Sequence, residues 1–342
     1  MGFPTVALDK AKLSKLLVAM FLALLLLWLS FRNANLKEVW KYMCQADILY
    51  LFLMCFSSLF SHVIRAKRWL ILLAPISPHK INLWNAFSAV IYGYAVNVVL
   101  PRGGEIARLV SISKSENLPW AGVLPTLLID RLLDIAVLVL LLGGSLIVLP
   151  PSLKSAMPWL IPTGEVLTVI TVLSVVALPK LGFFLTWLLS QELIKKFCPS
   201  SLSNKLRELS VQFEAGTKSL TNGRSYPAIG SLTFAIWFLY WLNVYLMLKA
   251  FHLTELVNIK NSLIVFTISA ISVLAPTPGA IGSYHFFVSQ ALSITSGIDQ
   301  NKALAFATVL HALALVGVNC IAALFCLIIQ AGREKEIIKP SN

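Results

Sequence analysis

Charge is scarce in this chain, and acid is scarcer still. Only 13% of its 342 residues are Asp, Glu, Lys or Arg, with 28 basic residues against 15 acidic ones. A soluble domain of this length covers its surface with far more charge, so a water-soluble globular fold is excluded. Long polar stretches are missing too: the longest runs from Lys180 to Arg224, too little for a separate soluble domain. The net charge of +13 is scattered through short loops between apolar runs. That scatter excludes a nucleic-acid-binding face and points to anionic lipid headgroups. Cysteines number five (Cys44, Cys55, Cys198, Cys320, Cys326), none at C-x-x-C spacing. They read as small buried hydrophobes, and no metal site is expected. No Walker A sequence is present, so ATP hydrolysis within this chain is not expected, and no cofactor is called for.

What is there is hydrophobic: 58% of residues, in runs long enough to cross a bilayer. The spacing predicts an all-α polytopic membrane protein with six to eight transmembrane helices. Clear runs cover 15–31, 48–64, 120–149, 158–178, 227–250 and 302–329. Lys10, Lys12 and Lys15 precede the first run as in a signal peptide, but no small-residue cleavage site follows. The first run therefore reads as a retained helix, after a cytoplasmic segment 1–14. The domain proper is 15–330, and 331–342 is a cytoplasmic tail. An amphipathic stretch around Leu202 to Leu220 reads as a helix lying in the membrane surface.

Two further apolar stretches, 83–100 and 261–275, break rather than continue. Each begins near an asparagine (Asn85, Asn261), stops at a proline (Pro101, Pro276) and passes through glycines. Each is followed by a half-apolar segment, 103–116 or 283–296. Proline and glycine free backbone groups that lipid cannot satisfy, so such breaks survive at membrane depth only inside protein or beside water. If both stretches crossed fully, the Lys180–Arg224 loop with its seven Lys and Arg would lie outside, against the positive-inside tendency. If both are re-entrant hairpins, cytoplasmic segments hold 17 Lys and Arg and external ones 6. Both termini then face the cytoplasm. The hairpins enter from opposite sides, giving an inverted repeat of about 83–149 and 261–329. That is the architecture expected of an alternating-access transporter, with its site where the repeats meet.

Four groups of residues could carry chemistry. Around the first break stand Arg102, Gly103, Gly104, Glu105 and Arg108. A helix starting near Gly103 puts Glu105 and Arg108 on one face. Arg102 could hold a phosphate bidentately beside the helix N-terminus. The bland alternative is an interfacial loop with a solubilising ion pair. Asp130, Arg131 and Asp134 sit in the long run 120–149. Charges there must face protein, a cavity or the interface, and pairing with Arg102 or Arg108 or a structural ion-pair network are both open. Around the second break stand Pro276, Pro278, Gly279, Gly282, Tyr284 and His285, with small residues for close approach and polar tips. His311, mid-span in the last run, could line a path. Finally, Arg65-Ala-Lys-Arg-Trp69 at the end of the second run reads as an interfacial anchor.

Taken together, Arg65-x-x-Arg-Trp69, Asn97-x-x-Leu-Pro-Arg-Gly-Gly-Glu-x-x-Arg108, Asp130-Arg-x-x-Asp134 and Pro276-x-Pro-Gly-x-Ile-Gly282 resemble the lysylphosphatidylglycerol synthase transmembrane-region family. The resemblance covers about residues 10–330. In one departure, Asp130 stands where the family often has Glu. The family's full-length synthases add a soluble aminoacyl-transferase domain. This chain stops at Asn342, so the resemblance implies the lipid-translocating half alone. It thus implies a multi-pass cell-membrane (inner-membrane) lipid flippase or transporter, not an enzyme, acting on lipids with anionic headgroups. Partner enzymes of lipid or glycolipid synthesis are also implied. The open alternatives are an intramembrane lipid-modifying enzyme, with Asp130 or His285 as base, or a partner subunit in envelope lipid synthesis.

Overall fold

The computed structural model describes residues 10–100, 103–148, 151–190, 200–218 and 223–338. Pro101 and Arg102, residues 1–9 of the N-terminal segment, Cys198 and the last four residues of the tail lie outside them. Among the described residues there is no strand. The helices are α1 (Lys10–Phe31), α2 (Leu36–Cys44), α3 (Ile48–Leu73), α4 (Leu83–Val99), α5 (Gly104–Ser115), α6 (Trp120–Val148), α7 (Pro151–Ala156) and α8 (Leu160–Ser190). They continue with α9 (Ser200–Thr217), α10 (Tyr226–Ala250), α11 (Ile259–Ser272), α12 (Ser283–Ser296), α13 (Gln300–Leu310) and α14 (Val318–Ile338). Between α13 and α14 the helix widens into a π segment, His311–Gly317.

By length and composition, three described helical stretches suffice to cross a membrane: Ile48–Ile76, Gly223–Ala250 and Gln300–Arg333. A fourth counts if Leu17–Phe31 and Leu36–Cys44, bent by 88°, form one broken span. That is fewer than the six clear runs of the sequence. The 120–149 run forms one 29-residue helix, but its centre carries three charges. The bend after α1 was not expected. Asn35 makes it, its side chain accepting from the amides of Lys37 and Glu38 to start α2.

The sequence's two breaks become helix–turn–helix units. Glu116, just after α5, accepts from Asn85 Nδ2 at 2.7 Å and from the Asn82 amide at 3.1 Å, at the start of α4. Start and end are joined, so α4 and α5 run antiparallel. Likewise Asn261 Nδ2, at the start of α11, donates to Thr295 O at 3.0 Å at the end of α12. The four arms have 17, 12, 14 and 14 residues. At 1.5 Å rise per residue even the longest, at about 26 Å, falls short of a bilayer's hydrocarbon core.

Helix α3 is inside-out. Phe52, Phe56 and Phe60 are exposed, whereas Ser57, Ser58, Ser61, His62, Arg65 and Arg68 are buried. It packs antiparallel on α10: the Asp47 amide meets Ala250 O at one end, and Arg68 meets Thr233 at the other. Helix α9, the amphipathic stretch, is not left unpartnered. It packs on α6 and α8, with Gly216 so close to the Gly122 carbonyl that a Cβ would overlap it. Amphipathic spacing marks an apolar face but not whether lipid or protein covers it.

Candidate functional site

The first site is built on α3, α5 and α6. Asp130 and Asp134, four residues apart, share one face of α6 and both accept from α3. Arg65 Nη1 lies 3.1 Å from Asp130 and 2.7 Å from Asp134. Arg68 Nη2 lies 2.7 Å from Asp130 and 2.9 Å from Asp134. Arg108 of α5 adds a third guanidinium, 3.0 Å from Asp130 Oδ2. Its guanidinium carbon stands 4.4 Å from the centre of the Trp69 ring, which supports it from beneath. All three arginines and Asp130 are at most 1% exposed. Tyrosines close the far side: Arg65 Nη2 donates to Tyr240 Oη at 3.2 Å, and Tyr240 Oη meets Tyr94 Oη at 3.2 Å.

The anchor reading of Arg65-Ala-Lys-Arg-Trp69 is therefore corrected. Only Lys67 of the five is exposed; the two arginines and Trp69 point inward. Arg65 and Arg68 join the candidate site, although the sequence reading does not count them among its site residues. The signal was present in the spacing: Ser58, Ser61, His62, Arg65 and Arg68 form one polar stripe at three- and four-residue intervals. Withdrawing both arginines from the cytoplasmic 17 leaves the charge bias between the two sides in place.

Glu105 and Arg108 share a face as expected, but their closest approach is 3.9 Å. The closer partner of Glu105 is Arg131, whose Nε donates to Oε1 at 2.6 Å. This pair is about one-third exposed. Its aliphatic stems border an apolar cavity of about 120 Å³ whose walls include Ile106, Leu109, Leu124 and Leu127. Gly104 opens α5 with its N–H held by Asn97 Oδ1 at 2.8 Å, so that first donor is already taken. A Cβ on Gly104 would overlap the Gly93 carbonyl, and this contact lets α5 lie against α4. Gly103 has an ordinary helical φ of −73°.

The deep set is electrically unbalanced. Three guanidiniums (Arg65, Arg68, Arg108) face two carboxylates (Asp130, Asp134). Arg108 Nε and Nη2 and Arg65 Nε are buried without a hydrogen-bond partner among the described residues. A buried donor set with one positive charge in excess is suited to an anion.

The second site surrounds the turn between α11 and α12. Pro278 opens a short turn, Pro278–Ala280, and Gly279, Ala280 and Gly282 all have positive φ. Much of the freed backbone is paired internally. Ser283 Oγ donates to Ser272 O at 3.0 Å, and His311 Nε2 meets Gly279 O at 2.7 Å. Tyr284 and His285 are buried against His311, while Pro276 is exposed. The sequence expected one cavity lined by both breaks. The structure brings Glu105, Arg108, Asp130, Arg131 and Asp134 together, and Pro278, Gly279, Gly282, Tyr284 and His285 together. The two groups meet through backbone: a Cβ on Gly279 would stand 3.1 Å from Val98 O, in the last turn of α4. No hydrogen bond or ion pair joins them among the described residues.

Buried ion pairs between apolar helices, with two broken helical hairpins meeting at their tips, define a multi-pass α-helical membrane protein with a polar interior. The chain belongs to the family described as the lysylphosphatidylglycerol synthase TM region, whose profile matches residues 15–322. Searches of curated proteins and of solved structures returned no significant match. Membership points to a function connected with membrane lipids.

Proposed function

We propose that this chain is a lipid transporter that moves a phosphate-bearing lipid, of phospholipid or polyprenyl type, between the leaflets of the cell membrane. It does so as a transporter rather than an enzyme. The observation that carries this reading is the buried cationic excess around Arg108, beside a partly exposed ion pair and an apolar slot. A phosphate would use the free donors of Arg108 and Arg65, with Arg102 at the neighbouring break as a further cation. The apolar slot beside Glu105 and Arg131 gives the acyl chains a lateral approach from the bilayer. The reading treats both helical hairpins as re-entrant, from opposite sides, with the termini in the cytoplasm. Their short arms and matching asparagine ties support this, and so does the Lys and Arg bias. Rocking of the two halves about the Gly279–Val98 contact would carry the headgroup across.

The test is lipid movement in proteoliposomes holding fluorescent phosphatidylglycerol, lysyl-phosphatidylglycerol or a polyprenyl phosphate. Arg108→Ala is expected to slow movement of the preferred lipid by about tenfold or more, because a charge-assisted phosphate contact is lost. Arg108→Ala also removes the unbalanced charge, so the fold should tolerate it better than loss of a carboxylate. Equal rates in wild type and Arg108→Ala would remove the basis of the proposal. Absence of movement in folded wild-type protein would favour a partner-subunit or enzyme role.

A further inference from the structure

His285 on α12 and His311 at the start of the π segment lie ring to ring, with centroids 4.8 Å apart. They are 6% and 4% exposed, and the lipid path proposed above gives them no task. A carbonyl oxygen only accepts, so His311 Nε2 carries the hydrogen that meets Gly279 O, and in the neutral ring Nδ1 keeps a lone pair. His285 Nδ1 is buried without a partner. The pair therefore holds basic nitrogens in an apolar setting, with no salt bridge to either ring among the described residues.

On α14, which continues the π segment, Arg333 lies over Trp84, Cys320 is exposed and Cys326 is buried. Tyr284 faces His311 with ring centroids 5.4 Å apart, and Phe31 of α1 is the aromatic neighbour of His285. Lys302 of α13 lies over Tyr42, and Arg32, after α1, lies over Trp28. Lys260 of α11 and Lys154 of α7 are exposed. On α3 and α4, Arg65 belongs to the arginine–aspartate network, Tyr94 meets Tyr240, and the His62 ring lies tilted against Tyr94 with centroids 4.6 Å apart. His62 stands beside the cationic excess, which disfavours a further positive charge there.

We infer that the His285–His311 pair is a proton-binding site that couples lipid movement to a proton gradient across the membrane. Two positive charges on rings this close repel, so the pair takes one proton, from water on one side, and releases it to the other. Charging His311 strengthens its bond to Gly279 O. Gly279 sits at a turn with φ of +54°, and that turn packs on Val98, next to the first break. The proton is thus held against the turn that packs on the last turn of α4, the arm that leads into the first break. The π segment is a local departure from α geometry of the kind found at functional positions. Ser58 of α3 donates to its Ala314 carbonyl at 3.4 Å.

The inference rests on the transport reading, and its test separates the two. Wild-type proteoliposomes with fluorescent phosphatidylglycerol are given a pH gradient of about one unit in either direction. One proton moved per lipid sustains up to about a tenfold leaflet ratio. His311→Gln keeps an N–H donor for Gly279 O but cannot titrate; its ratio is expected to stay near one in both gradients. Lipid that equilibrates in wild type with no response to the gradient overturns the inference and leaves transport standing, as does a full response in His311→Gln. If no lipid moves, ring ¹⁵N signals of the five histidines decide the proton site alone. Two signals, removed one each by His285→Gln and His311→Gln, should shift together with uptake of one proton as the pH falls. Two rings that stay neutral for as long as the protein stays folded, or that titrate independently, overturn it.

Discussion

Asp130→Ala is expected to destabilise the protein by about 3–5 kcal/mol, read as a lowered unfolding midpoint in detergent. Asp130 is fully buried and accepts from Arg65, Arg68 and Arg108. Its removal leaves Arg65 and Arg68 sharing Asp134 and leaves Arg108 with only Glu105, 3.9 Å away, in a place from which water is largely excluded. The size of the effect comes from the charges left behind rather than from the hydrogen bonds that Asp130 itself accepts. A second substitution separates these causes. Arg68→Met in the Asp130→Ala background removes one stranded cation, so it should recover part of the loss. In the wild-type background Arg68→Met should cost less than Asp130→Ala, because it removes the charge in excess. If the double variant is less stable than Asp130→Ala by the full cost of Arg68→Met alone, the network is not electrostatically coupled.

Gly282→Ala is expected to cost about 2–4 kcal/mol and to loosen α1, the sum of two terms. Its φ is +83° with ψ −57°, a backbone region that side chains strain to occupy. A Cβ there would also overlap the Ala23 carbonyl and stand 3.0 Å from the Leu27 amide, both in the backbone of α1. Neither atom can rotate away. Gly297 provides the comparison: it has φ of +65° but no atom within 4 Å of the Cβ position. Gly297→Ala should carry only the conformational cost, about 1–2 kcal/mol. Similar unfolding midpoints for the two variants would mean that α1 is not held by this contact.

The sequence was most legible where a helix had to stop. Pro101 and Pro276, with the glycines after them, marked two breaks, and Asn85 and Asn261 at the starts of the arms proved to be the residues that tie the arms together. Proline and glycine act on their own backbone, so their effect is local and can be read from one chain. Four-residue spacing puts the carboxylates Asp130 and Asp134 on one face, and burial of Asp130 turns that face inward, where spacing alone leaves protein, a cavity or the interface open. Their partners on α3 were not legible in the same way. Arg65 and Asp130 are 65 residues apart, and periodicity says which way a side chain points without saying what it meets. A basic pair beside tryptophan at the end of an apolar run has two physical solutions, at the interface or across a core. Only the polar stripe from Ser58 to Arg68 distinguished them. The bend before Asn35, the packing of α9 and the π segment at His311 depend on neighbours distant in sequence, and no local rule announces them.

The separation along the chain between these charges has a consequence for how the protein is made. Arg65 and Arg68 leave the ribosome 65 and 62 residues before Asp130. At about 5–20 residues per second, synthesis leaves them without that carboxylate for roughly 3–13 seconds. Unpaired guanidiniums are costly inside lipid, so during that interval the end of α3 is held at the water boundary, snorkelling to the headgroups. The interfacial anchor that the segment resembles by itself thus describes the nascent chain, and the buried network describes the finished one. Arg65→Cys in chains stalled before α6 emerges should react with a water-soluble maleimide. In chains released after α6 has inserted the same thiol should be shielded; equal labelling at both lengths would show that α3 seats before its partners arrive. Shielding at the longer length alone is the expected result, with α3 seated only once Asp130 has emerged.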